Sequence, residues 1–234
     1  MSSFPRQLSD EAFMGGARLR MDMRIGVLGW GSLLWDVETP TQPVTVGPWH
    51  KWGPSLPIEF ARVSSSRKGA LTLVVLPEPS PPPAGLQRTV WALSPASTLR
   101  EARVLLRDRE GCSIEKIPAL TTSGAEVAGR PHSAVKLVGE WLADQRSLDA
   151  VIWTGLSSNW DEPGKPGERY GPFSAEAAMR YLIGDERLCV DGRRLAEEYI
   201  RHAPPWIDTA VRRRAEEWGW TQLPLPPSCL MLEP

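Results

Sequence analysis

The sequence predicts an α+β protein with a helical appendage, and three observations carry that prediction. Short apolar runs of strand length recur in the first two thirds of the chain, among them Arg24 to Gly29, Ile58 to Val63 and Ala70 to Leu76. Stretches with apolar residues at helical spacing are interleaved with them. Beyond a glycine- and proline-rich passage, Gly155 to Pro172, the pattern is helical throughout. The expected organisation is therefore a loose arm over residues 1–21, a core over 22–155 and a helical C-terminal extension over 156–234.

Residues 1–21 are polar with no sustained period, and Met21 and Met23 are alternative starts. Arg24 to Gly29 reads as a buried strand that runs into Trp30-Gly31-Ser32-Leu33. Gly29 and Gly31 bracket Trp30, so the backbone there can adopt positive φ and can approach a ligand closely. Residues 37–57 carry Pro40, Pro43, Pro48, Pro54 and Pro57, which predicts a fixed irregular loop anchored by Trp49 and Trp52.

Ile58 to Val63 and Ala70 to Leu76 read as two strands, with Ile58 and Phe60 alternating against Glu59 and Ala61. Pro77 to Pro83 is a break, and Gln87 to Leu93 is the next strand. Ser94 as cap and Pro95 at the first helical position predict a helix start, and Leu99, Ala102, Leu105 and Leu106 form its apolar face up to Gly111. Ser113 to Ile117 reads as a strand, residues 132–145 as a helix facing inward through Val135, Val138 and Leu142, and Asp149 to Thr154 as a closing strand. Helices are expected over Ser174 to Ile183, Asp191 to His202 and Ile207 to Trp218, followed by a proline-rich tail from Leu223.

Composition bounds the function. The chain has 234 residues, 41% hydrophobic and 24% charged, with a net charge of -1, so no global pull toward nucleic acid or an anionic membrane is expected. Arg212-Arg213-Arg214 is followed by Glu216 and Glu217 and reads as a solvated helix face. Cys112, Cys189 and Cys229 are far apart without C-x-x-C spacing, and His50, His132 and His202 are equally dispersed, so neither a disulfide framework nor a metal site is suggested. No stretch reaches the roughly 20 apolar residues that cross a bilayer. The cytoplasm is the expected location and a small molecule the expected partner. Nothing in the sequence fixes an oligomeric state, a homodimer included.

Three readings compete for the Gly-Trp-Gly-Ser turn: a dinucleotide cradle, a serine nucleophile, and main-chain binding of a small carboxylate or amide. The order G-x-x-G-x-G followed by Ser-Leu-Leu-Trp differs from the G-x-G-x-x-G fingerprint, and Ser32 lacks the second glycine of a nucleophile elbow. A plain bend around a core tryptophan is the structural alternative.

Trp30-Gly31-Ser32-Leu33-Leu34-Trp35 resembles the Tyr-Gly-Ser-Leu-x-Trp signature of the gamma-glutamylcyclotransferase-like family, in particular its ChaC branch. Leu56 to Ser64, Arg67-Lys68-Gly69 and Leu71 to Val75 are similar to that family's arginine-and-serine strand, basic-glycine turn and next strand. Thr89 to Leu93, the following helix and Arg107-Asp108-Arg109-Glu110-Gly111 resemble the segment that presents its catalytic glutamate. The likeness spans roughly residues 24–155. It departs from the family in having Trp30 for the usual tyrosine, and Cys112-Ser113 where an aromatic often follows.

The resemblance implies a mixed, barrel-like sheet of five to six strands with packed helices. It also implies a cofactor-independent enzyme that releases 5-oxoproline from a γ-glutamyl peptide or amine. Glu110 is then the catalytic acid and base, and Trp30, Gly31, Ser32 and Leu33, with Arg62 and Arg67, bind the substrate. On spacing alone Glu110 reads as a helix-end carboxylate paired with Arg107 or Arg109. Two alternatives stay open: a non-catalytic binding or interaction protein on the same fold, and a small-amide hydrolase or acyltransferase using Ser32 or Cys112. Asp161-Glu162 reads as a linker or as part of a lid over the site.

Overall fold

The computed structural model describes residues 22–36, 43–77, 85–124, 126–127, 134–223 and 231–232. The expected N-terminal arm, residues 78–83 of the Pro77 to Pro83 break, His132, Cys229 and residues 224–230 and 233–234 of the tail lie outside these. In chain order the strands are β1 (Ile25–Gly29), β2 (Val46–His50), β3 (Ser55–Leu56), β4 (Ile58–Val63), β5 (Leu71–Val75), β6 (Gln87–Arg88), β7 (Val90–Leu93), β8 (Ala119–Thr121), β9 (Glu126–Val127), β10 (Ala150–Ile152) and β11 (Met231–Leu232). The helices are α1 (Leu99–Glu110), α2 (Ala134–Ala143), α3 (Gly167–Tyr170), α4 (Ala175–Gly184), α5 (Val190–His202) and α6 (Ala210–Glu217).

The protein is α+β. Its main sheet has the order β11-β2-β7-β1-β10-β8-β9, open at both ends, with β1 parallel to β10 and antiparallel to β7. Five strands longer than two residues form the body of this mixed sheet, and the outermost two, β9 and β11, are two-residue strands. Among the described residues the sheet does not close into a barrel. β4 and β5 form a separate antiparallel hairpin, and β3 and β6, which flank it in the chain, form a separate antiparallel pair.

β1 is buried along its whole length because both faces of the sheet are covered. Its alternate residues Ile25 and Val27, with Ala150 and Ile152 of β10, pack against Ala102 and Leu106 of α1. On the other face Leu28 and Val151 join the β4–β5 hairpin, α2 and the helices α4 to α6 in one large cluster. The period of two in β1 and β10 thus sorts their side chains into two cores.

Several local readings are corrected. The proline-rich segment 37–57 contains β2, which tolerates Pro48 because the ladder is irregular there: the register shifts between Val46 and His50 around Gly47, whose φ is +73°. Ser113 to Ile117 is not a strand but leads into a 3-10 turn, Ile114–Lys116, whose carbonyls at Ile114 and Ile117 accept hydrogen bonds from Arg103 of α1. The helix α1 starts four residues later than Ser94-Pro95 suggests, because Thr98 adopts the extended cap conformation and accepts from the Glu101 amide. The strand expected over Gln87 to Leu93 is broken at Thr89. The loop Gly155 to Pro172 carries the short helix α3.

Arg212 does not lie on a solvated face. Its guanidinium, 4% exposed, donates to the carbonyls of Ala203, Pro204 and Ile207, which are left open where α5 ends. Arg213 and Arg214 pair outward with Asp208 and with Glu176 and Glu217. The arginine run therefore ties the helical extension together.

Candidate active site

Glu110 owes its position to the rhythm of α1. Ala102 and Leu106 are fully buried, and Glu110 lies one further helical step of four along the same face, so the face that holds the helix on the sheet ends in a carboxylate. Gly111 then takes the left-handed conformation at φ 59°, its amide bonded to the Arg107 carbonyl, and the chain reverses. The side chain of Glu110 is 18% exposed and faces a cleft of about 840 Å3. This cleft is bounded by β1 and its loop, β4, β5, the end of α1, residues 154–165 and α5.

Every residue that the sequence nominated lines this one cleft: Glu110, Trp30, Gly31, Ser32, Leu33, Arg62 and Arg67, with Cys112 beside them. Trp30 is nevertheless mostly core, 5% exposed. The loop after β1 closes as a 3-10 turn, Ser32–Leu34, whose first internal bond runs from the Leu34 amide to the Gly31 carbonyl. Neither Gly29 nor Gly31 has positive φ; both are needed for space. A Cβ on Gly29 would meet the Trp49 ring at 2.7 Å, and one on Gly31 would meet the Tyr199 hydroxyl at 2.9 Å.

A chain of alternating charges crosses the cleft floor. Arg109, its side chain 8% exposed, lies 3.6 Å from Glu110 and 3.9 Å from Asp36, and it also donates to the Ser32 hydroxyl and the Asp36 carbonyl. Asp36 accepts from Arg67 at 3.2 Å, and Arg67 lies over the Tyr199 ring. Arg107, the other partner considered for Glu110, pairs with Asp108 instead. Glu110 itself accepts no hydrogen bond from the described residues. Burial therefore raises its pKa, opposed by the charges of Arg109 and Arg67 and reinforced by that of Asp36.

The wall opposite is fixed by side chains standing in for a strand. Asn159 accepts from the Val63 amide at 2.8 Å and donates to the Val63 carbonyl at 3.1 Å. Ser158 donates to the Ala61 carbonyl, and Arg62 donates to the Ser157 carbonyl at 2.8 Å. Residues 157–159 are thereby zipped along β4, which shifts register between Phe60 and Arg62 and turns Arg62 toward the cleft. Of the pair Asp161-Glu162, Glu162 lines the cleft, as does Lys165. Neither Arg62 nor Lys165 forms an ion pair among the described residues, so the cleft presents two cations without carboxylate partners.

Asp36, Asn159, Lys165 and Tyr199 were missed by sequence reasoning, whereas Arg109 was named there as a partner of Glu110 and stands beside it. Tyr199 sits on α5, beyond any local pattern that links it to Gly31.

Cys112 is half-buried, and burial raises its thiol pKa, with Glu110 adding to the shift, so a thiolate is disfavoured. Among the described residues no histidine lines the cleft, and the Ser32 hydroxyl accepts from the Arg109 guanidinium, which cannot take up a proton. Among the described residues no group of three His, Cys, Asp or Glu side chains is arranged to hold a metal ion, and no helix is long and apolar enough to cross a membrane. What the cleft offers is a desolvated carboxyl without fixed hydrogen bonds, close-approach main chain, and cations placed for anionic groups. Comparison with family models, curated proteins and solved structures returned no match for this chain.

Proposed function

We propose that this protein is a cofactor-independent γ-glutamylcyclotransferase on the gamma-glutamylcyclotransferase-like fold, with the barrel-like sheet that the fold implies, acting in the cytoplasm on a small γ-glutamyl peptide or amine. The substrate's free α-amine attacks its own γ-carbonyl carbon. A carbon–nitrogen bond forms, the bond to the leaving amine breaks, and 5-oxoproline is released.

Glu110 takes the proton from the substrate ammonium and returns it to the departing nitrogen. A carboxyl whose pKa is lifted by burial suits both halves of that transfer near neutral pH. The main chain at Gly31 to Leu33 approaches the glutamyl head, and Arg62 and Arg67 face its carboxylate. Holding amine and carbonyl in contact supplies a proximity effect worth several kcal/mol.

The observation that carries this reading is the buried Glu110 in one cleft with the glycine loop and both nominated arginines. Use of Ser32 as a nucleophile is disfavoured because its hydroxyl accepts from Arg109, and use of Cys112 because burial and Glu110 raise its thiol pKa. The test is 5-oxoproline release from glutathione, γ-glutamyl dipeptides and γ-glutamyl amines. Release by the unmodified protein that disappears in Glu110→Gln supports the proposal, and no release from any member by folded protein sinks it in favour of a binding role.

A further inference from the structure

Tyr199 belongs to α5, well outside residues 24–155, yet it reaches the centre of the cleft. Its ring is 5% exposed and is held edge-on by Trp35 and Phe60, with the Arg67 guanidinium 4.9 Å above it. Its hydroxyl presses on the glycine loop, so close that a methyl group on Gly31 would sit 2.9 Å from the oxygen. A backbone position that must be glycine for space, and not for φ, marks a contact the loop is built around.

Burial raises the pKa of the hydroxyl, with the main chain of Ser32 and Leu73 opposing. The O–H itself donates to no acceptor among the described residues. Buried tyrosine hydroxyls ordinarily find such a partner.

We infer that Tyr199 is a catalytic hydrogen-bond donor of the Glu110 cleft, its O–H taking a substrate oxygen beside the Gly31 loop. The inference rests on the cyclotransferase reading for the identity of that oxygen, the γ-carbonyl, which gains negative charge as the α-amine attacks. Tyr199 keeps its proton throughout, while Glu110 moves the one that travels from ammonium to leaving amine. The helical extension is then part of the active site.

Tyr199→Phe keeps the ring under Arg67 and removes only the donor. Loss of one preorganised donor predicts a fall in kcat of roughly 10²-fold with KM little changed. It also predicts weaker binding of 5-oxoproline by calorimetry, by roughly tenfold. Gly31→Ala displaces the same hydroxyl from the loop side and predicts a similar loss, which keeps the test open if Tyr199→Phe folds poorly. Turnover by the unmodified protein that both variants retain overturns the inference and leaves the cyclotransferase reading standing. Absence of turnover, with 5-oxoproline binding weakened in Tyr199→Phe, removes the reaction and supports the donor. Neither turnover nor binding by the unmodified protein overturns both.

Discussion

Glu59 and Glu110 are two buried carboxyls in one protein, and their surroundings assign them opposite work. Glu59, on β4, is fully buried where α6 meets the hairpin. One of its oxygens accepts from the Ala210 amide at 3.0 Å and the other from the Phe60 amide at 2.8 Å. It completes the cap at the start of α6, where unpaired amides and the helix dipole favour a carboxylate. Burial still raises its pKa, but every cause that opposes burial there is a hydrogen bond. At Glu110 every opposing cause is the charge of an arginine, and no donor among the described residues is hydrogen-bonded to the carboxyl. Burial is common to both; what sets the proposed proton carrier apart is burial without fixed hydrogen bonds on the wall of a cleft.

The comparison breaks first on activity. Glu110→Gln is expected to lower 5-oxoproline release roughly 10³-fold, the range for loss of a positioned acid and base, with an unfolding midpoint equal to or above that of the unmodified protein. Glu59→Ala is expected to do the reverse. It strands the Ala210 and Phe60 amides and opens a small cavity, for a loss of about 3 kcal/mol in urea unfolding, while turnover per folded molecule is retained. A Glu59→Ala variant as stable as the parent would show that the cap is not a structural tie.

The pH dependence sharpens the contrast at smaller amplitude. Both carboxyls have folded-state pKa values above the unfolded ones, so in the intervening range the native state binds more protons. Stability is therefore greatest below the ordinary glutamate pKa and falls as pH rises through the folded-state values, with at most about 1.4 kcal/mol lost per pH unit for each proton. Glu110→Gln should flatten that slope in chemical unfolding followed across pH, and an unchanged slope would place the Glu110 pKa at its ordinary value. The smallest effect is expected for Arg107→Ala. Its guanidinium pairs with the exposed Asp108 and avoids Glu110, so stability should move by less than about 0.5 kcal/mol and turnover not at all.

The same two residues show what the sequence disclosed. Glu110 was legible because its cues are local: an apolar stripe at helical spacing, a glycine at the helix exit, and a segment resembling a known one. The glycine loop and both arginines were legible for similar reasons. Glu59 reads as the outward residue of an alternating strand, yet β4 is covered on both faces, and its partner lies 151 residues away. Tyr199 and Arg212 escaped in the same way. Tyr199 is explained by Gly31, and Arg212 by the carbonyls left open at the end of α5. Such pairings follow from how the extension folds back on the hairpin, which no local periodicity encodes. The proline-rich segment concealed β2 because an irregular ladder makes proline acceptable there.

The most direct test of the account is the titration of the Glu110 carboxyl itself, followed by carbon-13 NMR of labelled protein and assigned by the signal missing from Glu110→Gln. The account predicts a midpoint clearly above the ordinary glutamate value, with the resonance free to move across the titration. A midpoint at or below the ordinary value would mean that Arg109 and Arg67 hold Glu110 as a fixed ion-pair partner, and it would contradict its role as the proton carrier.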